Sequence, residues 1–213
     1  MLGDNITPRF FKFARSIKRN QMKISFLIFI FAFVLFGKSA ESAEDFLLDD
    51  FSEKSGVSAI GTTWQSFTDR VMGGVSEGTH QFADVDGRRC IYLKGQVSLE
   101  NQGGFVQVAL SLERDGRPFD AGSFTGLRIW VRGNGETYYL HLRTIETSRP
   151  WFYYQASFMA NARWQKVEIP FSQFVPENFS ADLDPAQLTR VAIVAAKRAF
   201  EADVAVSRIE FYR

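Results

Sequence analysis

The string Gly74-Val75-Ser76-Glu77-Gly78 fits G-x-S-x-G, the spacing that lifts a serine nucleophile onto a sharp turn between a strand and a helix. Acyl transfer from such a serine also needs an acid and a histidine downstream and a helix directly after the turn. Here Gly78 opens a strand-like run, and the chain's two histidines, His80 and His141, stand in no supporting pattern. Gly73-Gly74 and Gly103-Gly104 have the composition of phosphate-cradling loops. Neither is followed by Lys-Ser/Thr or opens a helix, so the amides and dipole that hold phosphate are missing, and both pairs read better as bulges or tight turns. Two histidines and a single cysteine, Cys90, leave no transition-metal cage and no internal disulfide. Asp49, Asp50 and Glu210 lie near the two chain ends and are carboxylates of the kind calcium prefers; the plainer reading is solvated acids at strand ends. Asp69 and Glu77 are a carboxylate pair of glycosidase type, but nothing in the sequence fixes their separation. No catalytic residue, metal or cofactor is assigned, and the chain is expected not to be an enzyme.

The elements that would position these residues are strands. From Phe105 to Glu113 the chain alternates, with Val106, Val108, Leu110 and Leu112 on one side and polar or small residues on the other. The same period of two returns at Leu127/Ile129/Val131, Tyr138/Leu140/Leu142, Phe152/Tyr154/Ala156/Phe158 and Val167/Ile169, which marks half-buried strands. Asp84-Val85-Asp86-Gly87, Arg114-Asp115-Gly116 and Gly133-Asn134-Gly135 are rich in residues that tolerate positive φ, and hairpins are expected there. Val204 and Val206 share one parity and Ile209 and Phe211 the other, so the last strand should bulge near Ser207 or Arg208. Helical signals are confined to short turns at 170–174 and 184–188. About nine or ten short strands and no βαβ unit indicate an all-β, antiparallel β-sandwich of jelly-roll type.

If the apolar sets face the core, Arg128, Trp130 and Arg132, Tyr139, His141 and Arg143, and Trp151, Tyr153 and Gln155 face away from it. Trp and Tyr interleaved with Arg are the composition of recognition surfaces, offering stacking and rigid hydrogen bonds at low entropic cost. Trp130, Tyr139, His141, Arg143, Trp151 and Tyr153 are therefore binding candidates. The alternative is that loops fold over these rings and make a second small core, with the arginines capping carbonyls.

Residues 24–37 (ISFLIFIFAFVLFG) are apolar, bracketed by Lys23 and Lys38 and followed by small residues. Fourteen residues rise only about 21 Å as a helix, short of the roughly 30 Å of a membrane's hydrocarbon core. Residues 1–43 therefore read as a leader with a signal peptide, with Met22 as the expected true start, and the mature protein as exported, periplasmic or extracellular. A basic mitochondrial transit peptide is the competing reading. Contact with membrane is expected only through the leader, if it stays uncleaved. From 44 to 213, read as a single domain, 18 basic residues face 22 acidic ones, a balance with no electrostatic footprint for nucleic acid.

Two strings stand out beyond the period: Trp64-Gln65-Ser66-Phe67-Thr68-Asp69-Arg70-Val71-Met72-Gly73-Gly74-Val75-Ser76, and Gly95-Gln96-Val97-Ser98-Leu99-Glu100-Asn101-Gln102-Gly103-Gly104-Phe105. Together with Leu127 to Gly135, Tyr138, Trp164, Ile169-Pro170-Phe171 and Phe174, they closely resemble the complex I intermediate-associated protein family over nearly all of residues 46–213. The resemblance implies a galactose-binding-like jelly roll and a non-enzymatic assembly factor with a protein partner. A leader of secretory type departs from the family's mitochondrial members. The family is also similar to carbohydrate-binding modules, so an exported carbohydrate-binding module is the alternative. The motif residues Trp64, Asp69, Arg70, Met72, Gly73, Gly74, Ser76, Asn101, Gly103, Gly104 and Phe105 join the binding candidates. They read either as tight backbone crossings, with Asp or Asn satisfying amides, or as ligand contacts.

Overall fold

A computed structural model describes residues 44–213; the expectations for the leader at 1–43 lie outside the described residues. Where apolar residues alternate, the chain extends and pairs, giving twelve strands in two antiparallel sheets among the described residues. The first sheet runs β3 (Glu77–Val85), β4 (Arg88–Val97), β12 (Phe200–Tyr212), β6 (Gly126–Gly133) and β9 (Gln165–Pro170). β1 (Phe46–Asp49) continues the β4 edge of β12. The second sheet runs β10 (Val175–Glu177), β8 (Tyr153–Ala160), β7 (Glu136–Thr144), β11 (Leu188–Ala196), β5 (Phe105–Ser111) and β2 (Trp64–Thr68). Most connections cross from one sheet to the other, the wiring of a jelly roll.

The alternating sets meet between the sheets as expected. Val106, Val108 and Leu110 from β5, Leu127, Ile129 and Val131 from β6, and Leu140 and Leu142 from β7 are all fully buried in one core. The bulge in the last strand falls where the parity change places it: β12 pairs Val206 with Val131 and then Arg208 with Trp130, skipping Ser207. The short turns at 171–173 and 185–187 are single 3-10 turns, the second capped by the Asp184 carboxylate accepting from the Ala186 amide at 2.9 Å. The two described ends lie side by side. The Arg213 amide donates to the Asp45 carboxylate (3.1 Å), and its guanidinium donates to the Glu44 carbonyl (3.0 Å).

The hairpin expectation needs correction at two of its three turns. Asp86 and Gly87, both at positive φ, close the β3–β4 hairpin. Asp115 and Gly116 make a small bridged turn inside the β5–β6 connection, and Gly133-Asn134-Gly135 carries the chain from one sheet to the other. Residues that tolerate positive φ report that the chain reverses, not which sheet it joins next. At the crossing Asn134 donates to the Glu201 carbonyl (2.8 Å) and accepts from the Tyr138 hydroxyl (2.7 Å), whose oxygen accepts the Asp203 amide (2.8 Å). One buried phenol thus ties β7 to β12 across the sandwich. Tyr138→Phe is expected to cost about 1 kcal/mol, because the Asp203 amide and the Asn134 oxygen each lose their partner; denaturant unfolding of the two chains measures it.

Candidate functional site

At the end of β2 the Thr68 hydroxyl accepts from the Arg70 amide (3.3 Å) and starts a 3-10 turn over Asp69–Met72. Gly73, at φ 90°, ends it. The turn brings the Asp69 side chain inward, where it is 0% exposed. Its Oδ1 accepts from the Ser76 amide (2.9 Å). Its Oδ2 accepts from the Ser76 hydroxyl and from the amides of Gly104 (2.5 Å) and Phe105 (3.3 Å). Ser76 Oγ in turn accepts from the Ser98 amide (2.9 Å). One carboxylate therefore joins the β2–β3 crossing to the β4–β5 crossing. The glycines follow from its bulk, since a Cβ on Gly74 or on Gly103 would stand 2.4 Å from Asp69 side-chain atoms. Burial by itself would raise the Asp69 pKa, but its hydrogen bonds outweigh that and hold the group below the ordinary carboxylate value.

This arrangement makes the buried half of the motif structural. Ser76 is fully buried with its hydroxyl engaged, so the G-x-S-x-G string presents no nucleophile. Asn101 holds the left-handed conformation (φ 53°) in the second crossing, and Arg70 forms an exposed ion pair with Glu77 (2.5 Å), worth little in water. Trp64, a binding candidate in the sequence, packs in the core and donates its indole N–H to Asp49 (2.8 Å). Asp49 also caps the Phe51 amide (2.8 Å), and Glu210 is bound by Arg128 (2.8 Å) and Arg208 (2.6 Å). These two acids have protein partners, which leaves the calcium reading of the chain ends without free ligands at either.

What the motif exposes is apolar. Val71 and Met72 are 72% and 53% exposed, and Leu99, beside the second crossing, is 52% exposed. Met72, Leu99, Gly103, Gly104 and Phe105 line one side of a cavity of about 250 Å³ on the outer face of the second sheet. His141 and Tyr153 line the other side, their rings stacked at 4.0 Å and 13°. Lys197 also lines the cavity, its ammonium 5.6 Å from the Tyr139 ring and 2.9 Å from Glu177. Behind it Ala109, Ala192, Val194 and Ala196 form a small apolar cluster against Phe67, Phe105 and Tyr139. The small apolar cluster and the cavity with its stacked His141–Tyr153 pair thus occupy neighbouring parts of one face.

The outward residues do not form a single face. Arg128, Trp130 and Arg132 belong to β6 and lie on the outside of the first sheet. Arg128 is held there by Glu168 (2.8 Å) and Glu210 and lies 5.0 Å from the Tyr212 ring centre, while Trp130 lies under Arg208 at 5.7 Å. Strand parity separates inside from outside but does not say which sheet a strand joins. Arg143 is on the cavity's sheet but caps turn carbonyls, reaching those of Thr147 and of Arg149 (2.8 Å). Trp151 stays half-exposed at the rim of that region beside Arg149 (5.7 Å). Sequence reasoning missed Val71, Leu99, Gln107, Glu177 and Lys197. Two of these carried a local signal: Val71, which with Met72 interrupts the polar and glycine-rich turn 69–74, and Leu99, the one apolar residue of 98–104; Gln107, Glu177 and Lys197 are assembled only by pairing of distant strands.

Two measurable consequences follow from the charges. Asp69→Ala strands three amides and is expected to cost about 3 kcal/mol or more in chemical unfolding. His141 is 9% exposed, and burial, helped by the charge of Lys197, pushes its imidazole down to about 3. The unfolded chain binds that proton at the ordinary value of 6.5, so stability is complete above 6.5 and falls as pH drops from there towards 3. His80 is also lowered by burial and acts in the same direction. The melting temperature of His141→Phe should therefore decline less between pH 6.5 and 4 than that of the parent chain, not reach zero slope.

Solved structures with a similar fold include carbohydrate-binding modules. The chain resembles the family 11 carbohydrate-binding module of the cellulosomal cellulase Lic26A-Cel5E of Clostridium thermocellum at a TM-score of 0.63 and 14% identity, over 79% of this chain and 94% of that one. A second structure from Clostridium thermocellum is the same kind of module in complex with a β-1,3-1,4-mixed-linked tetrasaccharide (TM-score 0.62, 15% identity, 79% and 95% covered). A family 30 carbohydrate-binding module follows at 0.51 and 17%, over 70% of this chain and 82% of that one. At such identities the likeness shows the fold alone. No curated protein matches the chain by sequence. The family described as Complex I intermediate-associated protein 30 (CIA30) matches residues 50–204, a span that includes both glycine crossings and the carboxylate that joins them, and the chain belongs to that family.

Proposed function

We propose that this is a non-catalytic binding domain that holds a protein partner, in the manner of an assembly factor, through the apolar edge presented by the Asp69 turn. The observation that carries the reading is the contrast within one motif. Asp69, Gly74, Ser76 and Gly103 are spent on fixing the backbone, while Val71 and Met72 stand in solvent on the same few residues. A rigid turn that displays large apolar side chains places little ordering entropy on a complex, and clustered exposed apolar groups mark interaction sites. Membership of the CIA30 family supports a protein partner. The apolar run at 24–37 supports an exported setting over a mitochondrial one.

A second reading, a carbohydrate-binding module, is supported by the His141–Tyr153 stack at the cavity and by the likeness to such modules. Affinity purification from the native host separates the two. The Val71→Asp, Met72→Asp double substitution should remove a co-purifying protein at least tenfold while leaving the melting temperature within a degree or two, since both side chains are exposed. Retention of the same partner by the double variant would refute the apolar edge as its contact.

A further inference from the structure

Among the described residues, two buried side-chain atoms have no hydrogen-bond partner: His141 Nε2 and Gln155 Oε1. They belong to residues directly opposite one another on β7 and β8, on the outer face, and both side chains are more than nine-tenths buried. Orphans of this kind are rare in folded proteins, and two side by side beside a cavity point to a missing partner. His141 lines the cavity and Gln155 is its cross-strand neighbour.

The chemistry of that partner can be read from the groups themselves. Gln155 donates its amide to the Glu177 carboxylate, which can only accept, so the orphan Gln155 atom is the carbonyl oxygen and requires a donor. The imidazole is neutral at physiological pH, and its Nε2 requires a donor in one tautomer and an acceptor in the other. One hydroxyl serves both atoms when Nε2 carries the proton, and two neighbouring hydroxyls serve them when it does not, so a polyhydroxylated group satisfies either tautomer. A charged ligand has no counterpart here, because Lys197 and Glu177 are already paired at 2.9 Å. Phe105, Met72 and Leu99 add an apolar wall. The volume, about 250 Å³, lies just below the roughly 300–1,000 Å³ of pockets for drug-sized ligands, which leaves room for one ring. We propose that this cavity takes a single ring of an uncharged, polyhydroxylated ligand, a neutral sugar residue, whose hydroxyls complete the hydrogen bonding of His141 and Gln155. The inference rests on the second reading above and does not require the first.

The test is calorimetric titration of the purified full chain with glucose, galactose, mannose, xylose and a β-1,3-1,4-linked glucan tetrasaccharide, repeated with His141→Phe and Val71→Asp. At least one of these sugars should bind saturably, and His141→Phe should weaken that binding at least tenfold while its melting temperature stays level or rises. Binding by the tetrasaccharide alone would mean that the ring is recognised as part of a chain; binding by a monosaccharide, that the ring suffices. Val71→Asp should bind sugar as the parent does even where it loses a protein partner, so the two sites fail separately. The proposal is overturned if none of the five sugars binds, if the His141→Phe chain binds as tightly as the parent, or if His141→Phe melts lower or fails to fold, which would mean that the nitrogen already has a partner.

Discussion

The sandwich depends on one buried carboxylate. Asp69 is the point at which two crossings between the sheets, far apart in sequence, are fastened to each other, and it does so with charge-assisted hydrogen bonds to backbone amides of both. Once a carboxylate occupies that position, the surrounding residues are constrained by its size and its needs. Gly74 and Gly103 have no room for a Cβ, and Ser76 supplies both an amide and a hydroxyl. A string that looks like a catalytic or phosphate-binding motif is thereby accounted for by chain geometry.

The fold was legible in the sequence because alternation of side chains is a local property. Val106, Val108 and Leu110, or Ile129 and Val131, declare an inside and an outside over a few residues, and even the break of parity between Val206 and Ile209 located the bulge. The site was legible only in fragments. Tyr139, His141 and Tyr153 were readable as outward-facing, but Trp130 carries the same signal and sits on the opposite sheet. Turns such as Gly133-Asn134-Gly135 decide sheet membership, and their residues encode a reversal without encoding its destination. Lys197 and Glu177 come from β-strand connections and an edge strand that only long-range pairing brings to His141.

The two sides of the second sheet differ in kind. The core side of the second sheet is continuous and apolar; its outer side carries a small cluster of alanines and a valine, a stacked His–Tyr pair and polar atoms left without partners. Unsatisfied buried groups are a burden on the folded state, tolerated where something other than folding selects for them.

The neighbouring ends of the described chain, with Arg213 bonded to Asp45 and Glu44, have an architectural consequence. Strands β1 and β12 pair there in antiparallel register, so a short peptide bridging 213 to 44 would close the backbone into a ring without distorting either sheet. The order in which the strands are strung is then a matter of where that ring is opened, and circular permutants cut at an exposed turn such as Asp115-Gly116 would retain every ladder of the sandwich.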